Sequence, residues 1–299
     1  MFDPARHAQE VRDDGFTIVR GVVSRDEMAE VQQAADAIYA EGMKHHASYR
    51  DRNLMFEILN DPKARRRVVL QAHWFSWISP VMERVRRHPN ILKALEPLLG
   101  RDIKQIANQI HWKPVGAKFT SYRFHQDLRF RDNKTVYTNL ETSWLNTGLA
   151  IDPQSAENGA LRVFRGSHKR GYLGLSDDGP IMKGETQAPE LERAGLRDED
   201  MVTFEMEPGD LAIWTLLTVH GSAANTSGRD RRFMINSYIR AADSPDRGEW
   251  AFRDGVSTPL GAEPQICKYE KLRERPGPFY IEEDWTGEAL KELPEEAAR

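Results

Sequence analysis

The sequence predicts a mainly β protein with flanking helices, a sandwich or barrel of the jelly-roll kind. Three observations carry this. From about residue 103, short segments rich in Ile, Val, Trp, Phe and Thr follow one another: DIKQIANQIHW, VYTNLETSWLNTGLAI, ALRVFRGS, MVTFEM, DLAIWTLLTVH and RRFMINSYIR. Turn-forming clusters separate them, among them Lys113-Pro114-Val115-Gly116, Glu157-Asn158-Gly159, Glu207-Pro208-Gly209-Asp210 and Asn225-Thr226-Ser227-Gly228. Strands at that spacing with such turns suit two packed sheets. The first hundred residues, by contrast, read as mostly helical.

Taken in order, GFTIVRGVV is short, β-rich and bounded by glycines, which predicts a strand. Ser24 followed by Glu27 three residues later forms a capping box and opens an amphipathic helix through RDEMAEVQQAADAIYAEGM. A second helical stretch, SWISPVMERVRRHPNILKALEPLLG, is punctuated by Pro80 and Pro89. Residues 172–200 are polar and glycine-bearing between strands, the profile of a functional loop or lid. Residues 245–299 are charged and proline-containing, suited to wrapping the outside or making an oligomer contact. The expected organisation is one domain over 1–299: a helical support (1–102), a jelly-roll core (103–245) carrying the lid, and a C-terminal extension (246–299).

Composition bounds the function. Of 299 residues, 39% are hydrophobic and 29% charged, enough for a buried core and against disorder. Forty-two basic residues against 46 acidic ones give a net charge of −4, with no block of one sign. Nothing in that balance favours nucleic acid or an anionic membrane. The single cysteine, Cys267, forms neither an internal disulfide nor a thiolate metal cluster, which fits a reducing compartment. The charged N-terminal stretch has no signal-peptide character, and no run of about 18 apolar residues occurs. A cytoplasmic protein is expected.

The chemistry is suggested by Phe124-His125-Gln126-Asp127-Leu128. On a strand, residues i and i+2 share a side, so His125 and Asp127 would aim an imidazole and a carboxylate at one point. A third ligand must come from elsewhere, and His220 ends a strongly apolar strand. Two histidines and one carboxylate on one face of an iron leave positions open for a co-substrate and dioxygen. Zinc prefers a more closed set. Calcium wants more oxygens. Singly, each residue is also explained by packing or by a His–Asp pair. His168, His7, His45, His46, His73 and His88 read as capping, surface or packing residues. His111 shares strand parity with Gln109 and suits a substrate-facing position.

Taken together, HWKP-VGAKF, FHQDL, the Trp144 strand, NGALRVFRGSHK and EPGDLAIW…HGSAANTSGRDRR resemble the phytanoyl-CoA dioxygenase family over about residues 105–240. The resemblance implies a double-stranded β-helix and an Fe(II)- and 2-oxoglutarate-dependent oxygenase. Such an enzyme consumes O2 to hydroxylate an unactivated C–H bond and releases succinate and CO2. It places the metal on His125, Asp127 and His220. It assigns Arg231, eleven residues beyond His220, to the far carboxylate of 2-oxoglutarate, with Arg229 and Arg232 as close rivals. A guanidinium fork suits a carboxylate. It also implies co-substrate roles for Ser222, Gln109 and Trp144. Asp127 occupies the position that halogenating relatives leave small, which favours hydroxylation, desaturation or ring closure over halogenation.

Arg123, Arg129 and Arg131 share parity with His125 and suggest a polar or anionic small-molecule substrate. Two rival classes are a non-catalytic jelly-roll module binding a ligand or metal, and a hydrolase using the same triad.

Overall fold

The computed structural model describes residues 2–61, 66–115, 120–131, 136–179, 181–182, 186, 188–264 and 276–281; Cys267 lies outside them. The chain opens with helix α1 (Pro4–Asp14), capped by the Asp3 carboxylate and ended by Gly15 at φ 88°. Strand β1 (Phe16–Val19) follows. Helix α2 (Arg25–Gly42) starts on the anticipated capping box of Ser24 and Glu27. Three strands come next: β2 (Ser48–Asp51), β3 (Leu54–Asp61) and β4 (Arg66–His73). Helices α3 (Pro80–Arg86) and α4 (Pro89–Leu99) each begin with proline at the first helical position, where the missing N–H costs nothing.

Eight strands are then shared between two sheets, alternating except for the consecutive β8 and β9. β5 (Ile103–Lys113), β7 (Trp144–Ala150), β10 (Leu211–Thr215) and β12 (Arg231–Arg240) belong to the larger sheet. β6 (Tyr122–His125), β8 (Arg162–Phe164), β9 (Met201–Thr203) and β11 (His220–Ser222) form the smaller one, ordered β6-β11-β8-β9. This alternation is the double-stranded β-helix. The larger sheet runs β1-β10-β7-β12-β5-β4-β3-β2-β15, with β13 (Glu249–Arg253), β14 (Val256–Ser257) and β15 (Phe279–Ile281) added near its edges.

Two expectations are corrected here. The first hundred residues are not mostly helical between 48 and 73, because β4 pairs with β5 and β3 with β4. The run Val68-Val69-Leu70 is apolar with two β-branched residues, and the open ladder of β5 offers it hydrogen-bond partners. The described part of 246–299 does not only wrap the outside: β13 pairs with β5 and β15 with β2. The segment VYTNLETSW is strand only from Trp144 on. Before it, Asn139 sits in the left-handed region and opens a short helix, Leu140–Ser143.

The outer face of the larger sheet buries Phe56, Val69, Ile110 and Met234 against Val31 and Leu95 of the helices. Each such side chain contributes roughly 1.5–3 kcal/mol on burial. Between the sheets, Val163, Phe204, Trp214 and Phe233 fill one end. The site borders this cluster, with the Trp214 ring 5.7 Å from that of His220 and Arg231 over Phe233 at 5.5 Å.

Candidate metal centre and carboxylate pocket

β6 and β11 lie side by side with His125 opposite His220. After His125 the chain leaves the sheet, and Asp127 opens a 3-10 turn, Asp127–Phe130. The expected strand placement of Asp127 is therefore corrected. Gln126 makes the corner: its amide donates to Gly171 O (2.8 Å) and Leu217 O (2.7 Å) and accepts from Leu173 N (2.6 Å). The turn still delivers the carboxylate to the imidazoles. Asp127 Oδ1 is 3.5 Å from His125 Nε2, and Oδ2 is 3.5 Å from His220 Nε2. One donor atom from each residue lies within 4.8 Å of the others. Bonds of about 2.0–2.2 Å to one ion bridge such separations.

Backbone carbonyls set both tautomers. His125 Nδ1 donates to Arg123 O (2.7 Å) and His220 Nδ1 to Thr218 O (2.9 Å). The bare Nε2 lone pairs face the centre, as metal ligation requires. Burial lowers the His220 pKa to about 4, against an opposing pull from Asp127, so its imidazole is neutral at physiological pH. Burial pushes Asp127 up, but His220, His125 and Arg131 outweigh it and hold the carboxyl well below its usual range. Asn146 Nδ2 donates to Asp127 Oδ2 at 2.6 Å. Its own Oδ1 accepts from Trp144 Nε1 (3.2 Å) and Ser237 Oγ (2.7 Å). Two imidazole nitrogens and one carboxylate oxygen, all from one side, fit Fe(II) with vacant positions.

A second pole lies where β5 meets β12. Arg231 is 3% exposed and stands opposite Lys113 in the register. It donates to Gly159 O, and its Nε is buried with no hydrogen-bond partner. Burial lowers its pKa to about 10. Lys113 Nζ donates to Ser222 Oγ (2.6 Å) and Ala223 O (2.5 Å). The rivals of Arg231 are elsewhere. Arg232 pairs with Asp152 (2.7 Å) and Asp36 (2.6 Å), and Arg229 is exposed. An inward guanidinium with an unused buried donor fits an anionic co-substrate.

A third group lines β3, β4 and β5 on the face that carries Lys113. Gln71 Nε2 donates to the Tyr122 hydroxyl (3.0 Å), which donates to His111 Nδ1 (3.1 Å). His111 Nε2 donates to Gln109 Oε1 (3.4 Å), Gln109 Nε2 to His73 Nδ1 (3.2 Å), and His73 Nε2 to Glu57 Oε1 (2.9 Å). All donors point one way, so both imidazole tautomers are defined. Burial, reinforced by His73, Arg231 and Lys113, holds the His111 pKa well below that of a solvated imidazole.

Several sequence expectations are corrected. Arg123 does not face the site; it pairs with Asp178 (3.0 Å) and Glu190 (3.3 Å) of the 172–200 segment. Between the pairs His125–His220 and Tyr122–Ser222, β6 advances three residues while β11 advances two. That bulge reverses alternation, turning Tyr122 inward and Arg123 outward. Arg129 lies on the 3-10 turn, where strand parity does not hold. It donates to Ser176 O (2.6 Å) and Gly179 O (3.1 Å). Arg131 stacks on Trp144 at 4.6 Å. Trp144 is fully buried with Tyr137, Leu216 and Ile239, and its Nε1 donates to Asn146, which in turn holds Asp127. His73 is neither a surface residue nor simple packing, because tertiary pairing of β4 with β5 places it in the polar row. His168 behaves as expected, donating to Arg12 O at 3.1 Å. Lys113 and Asn146 were missed. Strand parity with Gln109 and with Trp144, respectively, was the available signal.

The family model described as phytanoyl-CoA dioxygenase matches residues 11–233. A 2-aminoethylphosphonate dioxygenase from Uncultured bacterium HF130_AEPn_1 is 29% identical over 159 residues, 52% of this chain and 53% of that protein. The chain thus spans about half the length of that relative. A probable alpha-ketoglutarate-dependent hypophosphite dioxygenase from Stutzerimonas stutzeri is 27% identical over 243 residues, 79% of each chain. The crystal structure of EctD from S. alaskensis with 2-oxoglutarate and 5-hydroxyectoine superposes with a TM-score of 0.62 at 19% identity. It covers 89% of this chain and 86% of that one, a likeness of fold. Among the described residues, no helix is long and apolar enough to cross a membrane.

Proposed function

The chain belongs to the phytanoyl-CoA dioxygenase family of Fe(II)- and 2-oxoglutarate-dependent oxygenases. From that premise we propose that it hydroxylates an unactivated C–H bond of a small polar metabolite in the cytoplasm. The observation that carries this is the convergence of His125, Asp127 and His220 on one point, with both Nε2 lone pairs bare. In this reading the three residues hold Fe(II). Arg231 and Ser222 hold the far carboxylate of 2-oxoglutarate, and Gln109 lies toward its other end. Iron with 2-oxoglutarate and dioxygen supplies the oxidation and releases succinate and CO2.

The protein's own contribution is orientation and exclusion of water. Asn146 holds Asp127 in place, and the carbonyls of Arg123 and Thr218 hold the imidazoles. The 172–200 segment acts as the cover. Leu175 packs with Phe124 and Phe164, and Ser176 Oγ donates to Phe124 O (2.9 Å). The polar row from Gln71 to Glu57 receives the substrate, with His111 as a contact. Relatives named for 2-aminoethylphosphonate and hypophosphite support a small, polar compound.

The test is a screen of polar metabolites for succinate release, followed by labelled dioxygen. Oxygen- and 2-oxoglutarate-dependent succinate with label in the product supports hydroxylation. Turnover without dioxygen would support the hydrolase instead, and no turnover with iron bound would support the binding module.

A further inference from the structure

Arg231 alone is a sufficient fork for one carboxylate, yet the pocket holds a second buried cation. Lys113 is 2% exposed, stands opposite Arg231 across the β5–β12 ladder, and points to the same face. Resting on the reading above, we propose that Lys113 is a further ligand for the far carboxylate of the co-substrate. It makes the pocket select dicarboxylate 2-oxo acids by charge.

Four observations support this. First, the two cations have no acid between them. Lys113 Nζ is moored to Ser222 Oγ and Ala223 O, and Arg231 to Gly159 O, all uncharged. Among the described residues, neither forms an ion pair. The acid that Arg231 senses, Asp152, is held by Arg232. Two buried like charges on neighbouring strands are costly unless an anion joins them. Second, the mooring prepares Ser222 as a donor. The ammonium supplies a hydrogen to a lone pair of Oγ, so the hydroxyl hydrogen is left to point at an incoming oxygen. Lys113, Ser222 and Arg231 then offer hydrogens together.

Third, backbone shape protects the contact. Gly159 sits at φ +72°, and a Cβ there would lie 3.1 Å from Lys113 Nζ and 2.4 Å from Ala223 O. Only glycine lets this turn close over the ammonium. Fourth, burial and the guanidiniums of Arg231 and Arg162 drive the Lys113 pKa well below its ordinary value. The ammonium is thus disfavoured while the pocket is empty, and an anion beside it would favour the charged form.

The experiment compares two ligands in the Fe(II)-loaded protein under anaerobic conditions. 2-Oxoglutarate carries the far carboxylate; 2-oxopentanoate has the same chain length without it. Each is titrated by the visible charge-transfer band of the chelate. In Lys113→Met and Lys113→Gln, the Kd for 2-oxoglutarate is expected to rise about 10- to 100-fold, the size of a lost hydrogen bond to a charged group. The Kd for 2-oxopentanoate stays within about twofold, and its band shows that the variant is folded and loaded. Unchanged 2-oxoglutarate affinity overturns the proposal while leaving the enzyme assignment intact. So does an equal loss for both ligands. If Lys113→Met has no added effect in a Ser222→Ala background, Lys113 acts only through Ser222, and the proposal falls. Absence of any band in the wild-type protein sinks the underlying reading as well.

Discussion

The two walls of the site are built by different means. The small-sheet wall presents the metal centre from His125, Asp127 and His220, and each imidazole is aligned by the carbonyl two residues before it. Each imidazole is oriented by its own strand, and the pairing of β6 with β11 brings the two together. The large-sheet wall presents Lys113, Arg231 and the polar row, whose members come from β3, β4, β5 and β12, with Tyr122 reaching in from β6. No short stretch of chain contains that arrangement. In the reading proposed above, this assembled wall meets both the far carboxylate of the co-substrate and the substrate.

The strongest way to break this comparison is to remove the carboxylate. Asp127→Ala leaves two imidazoles without an anion. Bound iron should fall to background by metal analysis and succinate release should vanish, while the far-ultraviolet circular dichroism stays native. Retained iron would show that the small-sheet wall is not the metal wall.

Acid sharpens it next. In the metal-free protein the His220 pKa is about 4, below the 6.5 of an ordinary imidazole. The unfolded chain therefore binds more protons than the folded one between those values. Stability is full above about pH 6.5 and is lost as pH falls toward 4, by at most about 3 kcal/mol. The depressed Asp127 adds a further loss as pH drops below its unfolded value near 3.8. Thermal unfolding from about pH 7.5 to 4.5 should show a falling Tm, and His220→Asn should flatten the slope. An equal slope in the variant would show that His220 does not carry the sensitivity.

The smallest effect concerns the link between the walls. Asn146 reaches from β7 of the large sheet to Asp127 of the small-sheet wall. Asn146→Ala should weaken Fe(II) binding about 10- to 100-fold, the usual cost of losing an outer partner of a metal ligand. A competitive chelator titration measures this. An unchanged affinity would mean that the walls act independently.

Much of this was legible in advance, and the misses have physical reasons. The capping box of α2, the turn sequences and the order of the jelly-roll segments are local patterns. The triad was readable because its residues fall in segments that together, and in order, resemble one family, although the alternation argument for Asp127 was wrong in detail. A corner held by Gln126, not strand parity, aims that carboxylate. Parity failed at Arg123 because a bulge in β6 reverses it. The choice among Arg229, Arg231 and Arg232 was open because nearby arginines differ only in what they meet after folding. Asp152 and Asp36 hold Arg232, leaving Arg231 as the inward one.

By itself, then, the sequence determined the family, the jelly-roll order and the three residues for the ion. These rest on short-range spacing and on hydrogen bonds a few residues long. Only the tertiary structure decided that β2–β4 extend the large sheet, that His73 and Glu57 join the polar row, and that Lys113 faces Arg231. Those facts depend on which strand edges pair. Pairing is set by burial and backbone hydrogen bonding summed across distant segments, which no local pattern encodes.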